Sequence, residues 1–255
     1  MKIVYHESYL TAYFTATVES PLRARVIYQK LRQHYDTVSP EPASIADILR
    51  VHSRDHVDRV RQEGKDIFET ALLAAGGALT AARTALAGES AFAVIRPPGH
   101  HARRSSFGGF CFFNNMAVAL AALLDSGAIR SAAGVDFDMH WGDGTADIFS
   151  ATSAVSIVDV CARDREVYLK TLLGEMGRLP QVDLIGASAG FDLYARDWGA
   201  LLETEDYHSM GRAIRQTAIE KANGRVFGIL EGGYYLNDLG ANALAFCRGL
   251  DGSEL

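Results

Sequence analysis

The chain has 255 residues, 48% of them hydrophobic, with 24 Gly and only 6 Pro, a composition that suits one domain with a sizeable core and excludes disorder or a fibre. Acidic residues outnumber basic ones, 31 to 25, for a formal charge of -6, and the lysines Lys2, Lys30, Lys65, Lys170 and Lys221 are scattered. No basic patch selects nucleic acid or an anionic membrane.

The opening MKIVYHESYL lacks the apolar run of a signal peptide, and no later stretch stays apolar long enough to span a bilayer, which predicts a soluble cytoplasmic protein. Cys111, Cys161 and Cys247 are odd in number and lack CxxC spacing, so reduced thiols are expected rather than disulfides or a thiolate zinc site.

In chain order, Ile3 to Tyr5 reads as a strand. Ser20-Pro21 reads as an N-cap with Pro at the first position of a helix from Leu22 to about His34. Helices follow over Arg54 to Gln62 and Glu69 to Leu86, then a strand from Ala91 to Ile95 and a helix from Asn115 to Ser126. Strands at Ala132 to Phe137, Val155 to Val160, Leu184 to Ala189 and Val226 to Leu230 alternate with helices at Arg165 to Arg178, Tyr207 to Ala222 and Tyr235 to Arg248. Short apolar runs alternating with amphipathic segments indicate βαβ units around a mostly parallel, buried sheet. No repeat or linker divides the chain.

Open α/β sheets bind ligands beyond the carboxyl ends of their strands. Four predicted strands run there into polar or glycine-rich segments: RPPGHHA, DFDMHWGDG, SAGFD and EGGYY. In the second, Asp138 and His140 are two apart in an extended stretch, so their side chains point the same way. A catalytic metal with an open position needs a third ligand. Asp192 in SAGFD is best placed, and Asp, His and Asp suit a divalent ion, above all zinc. Taken alone, Asp-x-His is far more often strand-end capping and turn formation than a ligand pair, and a pair such as His100-His101 in a loop is more often solvated or locally hydrogen-bonded than catalytic. The spare carboxylates Asp136 and Asp143 change that balance, because a carboxylate behind each imidazole would fix its tautomer and raise its basicity.

Pro97-Pro98-Gly99 stiffens the histidine loop, and Gly108 and Gly109 permit close backbone approach near Phe110. Phe112 and Phe113 read as core. The glycines of EGGYY let the chain turn so that Tyr234 aims its hydroxyl inward as an oxyanion donor, with Tyr235 on the helix surface.

RPPGHHA, GFCFFNN, VDFDMHWGDGTADIF, SAGFD and LEGGYY occur together and in order, and in this the chain resembles the histone deacetylase and acetylpolyamine amidohydrolase superfamily, leaning toward its class II-like bacterial branch. ESPLRARVIYQKL and VHSRDHVDRV extend the likeness to nearly the whole chain. The resemblance implies a single catalytic domain over residues 1–255, with an arginase-like three-layer α/β fold around a mostly parallel central sheet. It further implies zinc-dependent removal of an acetyl or other acyl group from an amine such as acetyl-lysine or an acetylated polyamine.

By the same resemblance one Zn2+ sits on Asp138, His140 and Asp192. His101, backed by Asp143, is general base and then acid, and His100, backed by Asp136, acts electrostatically. Tyr234 polarises the acyl carbonyl, and Phe110, beside Gly109, lines the acyl channel.

This sequence also departs from the family. The long loop that usually follows the strand matching Val155 to Val160 is missing, since Cys161 to Glu166 leads almost at once into a helix. A wider, shallower site follows, unless another subunit, in a homo-oligomer, or the Tyr9 to Phe14 segment fills the gap. Asp159 and Cys161 stand near positions where the family has Ser and His, a replacement that counts against a monovalent-cation (K+) site. Trp141 replaces a common second His, and a Glu of polyamine-selective relatives falls near Gly199. Two other readings remain: a non-catalytic acyl-group binding protein on the same fold, and a binuclear manganese ureohydrolase, against which LYARD after Asp192 lacks the further acid.

Overall fold

In the computed structural model, which describes residues 1–255, seven strands form one sheet in the order β2-β1-β3-β7-β6-β4-β5, every neighbouring pair parallel. They are β1 (Lys2–Val4), β2 (Asp36–Val38), β3 (Ala91–Ala93), β4 (Ala132–Asp136), β5 (Val155–Asp159), β6 (Leu184–Ala189) and β7 (Val226–Leu230). Every residue of β3, β4, β6 and β7 is buried, as expected of a parallel sheet covered on both faces.

The helices are α1 (Leu22–Leu31), α2 (Ile45–Leu49), α3 (Arg54–Gln62), α4 (Lys65–Leu86), α5 (Asn115–Asp125), α6 (Asp143–Phe149), α7 (Arg165–Gly177), α8 (Thr204–Lys221) and α9 (Leu236–Asp251). α4 packs on the sheet and on α5, whereas α8 and α9 pack together with α1 and α7 beside them. One hydrophobic core runs from Ile3 to Leu250. No helix is long and apolar enough to cross a membrane.

The six expected strands are present, two with the expected bounds and four shifted or trimmed at an end. β2 was not anticipated: Asp-Thr-Val is short, half-exposed and at the sheet edge, so it carries neither a buried run nor alternation. The short α2 and α6 were also missed. α1 ends three residues early, at Leu31, and Pro21 rather than Ser20 takes the capping position, with the Ser20 hydroxyl accepting the Leu22 N–H at 3.2 Å. α4 and α8 each begin earlier than their apolar pattern. Glu203 opens α8 through a reciprocal capping arrangement with Asp206, a polar start that hydrophobic spacing does not reveal.

The strands expected to carry the site are β3, β7, β6 and β4, which are contiguous. Because all run parallel, their carboxyl ends lie on one edge, and the four motifs following them meet there.

Candidate active site

Asp138, His140 and Asp192 offer ligand atoms within 4.8 Å of one another. His140 Nδ1 lies 3.1 Å from Asp138 Oδ1 and 3.1 Å from Asp192 Oδ2. The segment after β4 is pinned by its own carboxylates. Asp138 Oδ1 accepts the His140 N–H at 2.9 Å, Asp136 Oδ1 accepts the Asp138 N–H at 3.1 Å, and Asp192 Oδ1 accepts the Met139 N–H at 2.9 Å.

The donor set fits a divalent cation. Asp192 Oδ2 is fully enclosed, and its one close polar neighbour is His140 Nδ1 at 3.1 Å, without hydrogen-bond geometry, an arrangement that is costly unless something positive binds it. Burial and the neighbouring Asp138 push the Asp192 carboxyl up to about 7, and the two acids, Asp138 first, push His140 up to about 10. Glycines leave these oxygens room. A Cβ at Gly232 would stand 2.5 Å from Asp138 Oδ2 and 2.8 Å from Asp192 Oδ2, and one at Gly190 would collide with Asp138 Oδ2.

The two imidazoles stand beside this cluster, ring centres 4.1 Å apart, with His101 5.8 Å from His140. Each has the carboxylate expected behind it: His100 Nδ1 is 3.1 Å from Asp136 Oδ2, and His101 Nδ1 is 2.6 Å from Asp143 Oδ1. Their environments set them apart. Burial opposes charge on His100, but Asp138 and Asp136 outweigh it and hold the imidazole well above its usual range. Burial, helped by the adjacent His100, pushes His101 down. Asp143 also receives Arg103 Nε at 2.8 Å, which shares its charge between two partners.

Tyr234, Phe110, Pro98 and Trp198 complete a cavity of about 180 Å³ over His100, His101, Asp138 and His140. Phe110 meets Tyr234 edge-on at 6.3 Å. Gly109 and Phe110 both have positive φ, 55° and 67°. A Cβ on Gly109 would strike the His101 ring, so a glycine is needed there, while Gly108, expected to share that role, has open space around it. At the end of β7, Gly233 turns with φ 114°. Phe112 and Phe113 are buried as expected, and Tyr235 is half-buried at the start of α9.

Several residues of the site were not anticipated. Trp198 stacks on Tyr234 at 4.2 Å and meets His140 edge-on at 6.1 Å. Asp197 Oδ2 accepts the N–H groups of Tyr234 and Tyr235 at 2.6 and 2.8 Å. The guanidinium of Arg23 lies 4.9 Å over the Tyr234 ring and donates to the carbonyls of Gly233 and Glu231. Buried Glu231 receives the Gly99 and His100 N–H groups at 2.7 and 3.2 Å, tying the histidine loop to β7, and burial pushes its carboxyl up to about 7. Arg23 and Glu231 lie inside motifs already singled out. An aromatic three residues before the Leu201-Leu202 pair that leads into α8 was the available signal for Trp198.

The gap left by the short β5–α7 turn is real. Asp164 already caps α7. Trp198 stands as one wall of the 180 Å³ cavity over the histidines, with the larger space left by the short turn beside it. The Tyr9 to Phe14 segment does not fill the gap: Tyr13 lies under Arg96, 3.9 Å from its ring centre, and edge-on to Phe112, while Phe14 projects into solvent on the Phe107–Phe110 side. Asp159 accepts the Gly142 N–H at 2.8 Å, and burial with the neighbouring Asp136 pushes it up to about 7.

Comparison with known proteins agrees with this geometry. Residues 17–172 match the histone deacetylase domain family. The chain is 31% identical to a probable deacetylase of Methanothermobacter thermautotrophicus, over 100% of this chain and 92% of that one. It is also 31% identical to the acetylpolyamine amidohydrolase of Mycoplana ramosa, over 72% of this chain and 64% of that one. The crystal structure of the HDA15 HD domain superposes with a TM-score of 0.85 at 24% identity, covering 99% of this chain and 91% of that one, which fixes the arginase-like α/β fold. With more than half of its length matched and its motif residues gathered at one strand edge, the chain belongs to the histone deacetylase and acetylpolyamine amidohydrolase superfamily.

Proposed function

We propose that the protein is a zinc-dependent amidohydrolase that removes a small acyl group, above all acetyl, from an acylated amine. The observation that carries this reading is the meeting, on one rim, of a cation-seeking Asp-His-Asp cluster with two carboxylate-backed imidazoles in different electrostatic settings. Zn2+ held by Asp138, His140 and Asp192 would supply Lewis acidity toward the acyl oxygen and a more acidic water.

Two carboxylates formally cancel the charge of such an ion, so the protein's own acid–base groups matter more than in a three-histidine site. His101, its Nδ1 held by Asp143, has Nε2 free to take a proton from the attacking water and later to give one to the leaving amine. His100, its Nδ1 3.1 Å from Asp136 Oδ2, faces the negative charge that develops beside it and stabilises it through its ring N–H. Tyr234 donates its hydroxyl to the forming oxyanion, and its burial keeps it protonated. The 180 Å³ cavity admits a short acyl group, and Phe110 flanks the way out.

The deciding experiment is a panel of acylated amines assayed with chelator-stripped and zinc-reloaded protein. Hydrolysis should vanish on stripping and return with one ion per chain. A reloaded protein that binds hydroxamates but cleaves nothing would be a binding module, and two ions per chain would favour a ureohydrolase.

Tyr234→Phe tests the mechanism more finely. Loss of one oxyanion donor typically costs about 2.7–4 kcal/mol, so kcat should fall roughly a hundredfold or more while zinc content stays at the parent level. Parent-like turnover in this variant removes the hydroxyl from the mechanism.

A further inference from the structure

Beside the reaction cavity, on the other side of Trp198, lies a second space of about 450 Å³, where the shortened β5–α7 turn leaves room. Its size falls within the usual range for a small-molecule pocket. Its walls are apolar, with Met139, Val160, Leu193 and Leu201 among them, and Cys161 and Arg163 on the turn. No carboxylate lines it, and Arg163 is its one charge. Tyr168, completely buried in the same wall, has a hydroxyl without a hydrogen-bond partner.

Trp198 belongs to both spaces. The reaction cavity is closed below by buried Asp138 and Gly232, whereas Trp198 is 49% exposed and so stands at the mouth. A short acyl group occupies the floor, and what passes Trp198 is the amine side of the substrate. Resting on the deacylase reading, we propose that this second cavity is a specificity subsite for the amine arm, and that it takes an uncharged apolar group, aromatic above all, in preference to the second ammonium of a polyamine. Burying a distal ammonium there would strip its water without offering a carboxylate, and would set it near Arg163. A phenyl ring loses nothing by dehydration and gains the walls.

Three acetamides test this on the zinc-loaded protein: N-(4-phenylbutyl)acetamide, N-butylacetamide and N-(4-aminobutyl)acetamide. The expected order of kcat/KM runs from phenylbutyl through butyl to aminobutyl, with about tenfold or more between the first and the last. Cys161→Trp, which fills the cavity from an exposed turn, should bring the phenylbutyl-to-butyl ratio toward one. A readout free of turnover comes from Cys161 itself, the one exposed thiol, Cys111 and Cys247 being buried. The phenylbutyl amide should slow its reaction with a coloured disulfide reagent, and the aminobutyl amide should not.

Preference for the aminobutyl amide, or a ratio unmoved by Cys161→Trp, overturns the subsite. So does a Cys161 that becomes shielded without ligand as protein concentration rises, since a second copy would then cover the cavity. If none of the amides is cleaved, the deacylase reading fails, and thiol protection alone decides whether the cavity binds the ring.

Discussion

Asp192→Asn should abolish hydrolysis and weaken zinc binding roughly a hundredfold or more, since even outer partners of metal ligands are worth about 10–100-fold in affinity. The same variant should nonetheless unfold no more easily than its parent when both are metal-free. The carboxylate is completely enclosed and Asp138 lies alongside, and these two effects outweigh the His140 imidazole 3.1 Å from its Oδ2. An amide removes that repulsion and still accepts the Met139 N–H through Oδ1. With free zinc at 100 times its dissociation constant, the parent should gain about 2.7 kcal/mol of stability and the variant far less. Urea unfolding with and without the ion measures both quantities; a variant that keeps its zinc and its turnover would remove Asp192 from the ligand set.

Arg96→Met should cost about 3–5 kcal/mol of stability, the usual result of stranding one half of a buried ion pair. Arg96 is buried and grips Glu19 with two hydrogen bonds, Nε to Oε1 at 2.8 Å and the second nitrogen to Oε2 at 2.9 Å, and it also donates to the Thr11 carbonyl at 2.8 Å. Glu19 is fully enclosed. Its remaining cationic neighbour, Arg23, is 3.7 Å away, which places the loss toward the lower end. Pairing the change with Glu19→Gln should recover much of it, because the stranded charge is gone. A single variant as stable as the parent, or a double variant no better than the single, would contradict this account.

The sheet was legible where strands are buried on both faces: β7 is an unbroken apolar run and β6 is interrupted only by the buried Ser188. β2 was not, because three half-exposed edge residues carry no such pattern. The start of α8 was hidden for a different reason: Glu203 and Asp206 begin it by capping each other, and capping carries no hydrophobic period. In the site, strand alternation and strand-end placement bring Asp138, His140 and Asp192 together and set Asp136 and Asp143 beside them, whereas which carboxylate backs which imidazole follows only from the family resemblance. What could not be read were the groups holding them. Arg23 reaches the β7 turn from α1, Glu231 grips a loop 132 positions before it in the chain, and Trp198 stands where the trimmed turn suggested open space. Such contacts follow from packing between distant segments, and spacing within a segment does not encode them.

The reacting groups hang from four adjacent strands whose register is locked by main-chain hydrogen bonds, while the 160–164 turn and Trp198 hang outside that lattice. Doubling the length of a surface loop costs only about 0.6 kcal/mol in closure entropy. Insertions between β5 and α7 can therefore reshape the entrance without displacing the atoms that break the bond. On the proposed reading, chemistry and selectivity reside in mechanically separate parts of the molecule, and the second can diverge while the first stands still.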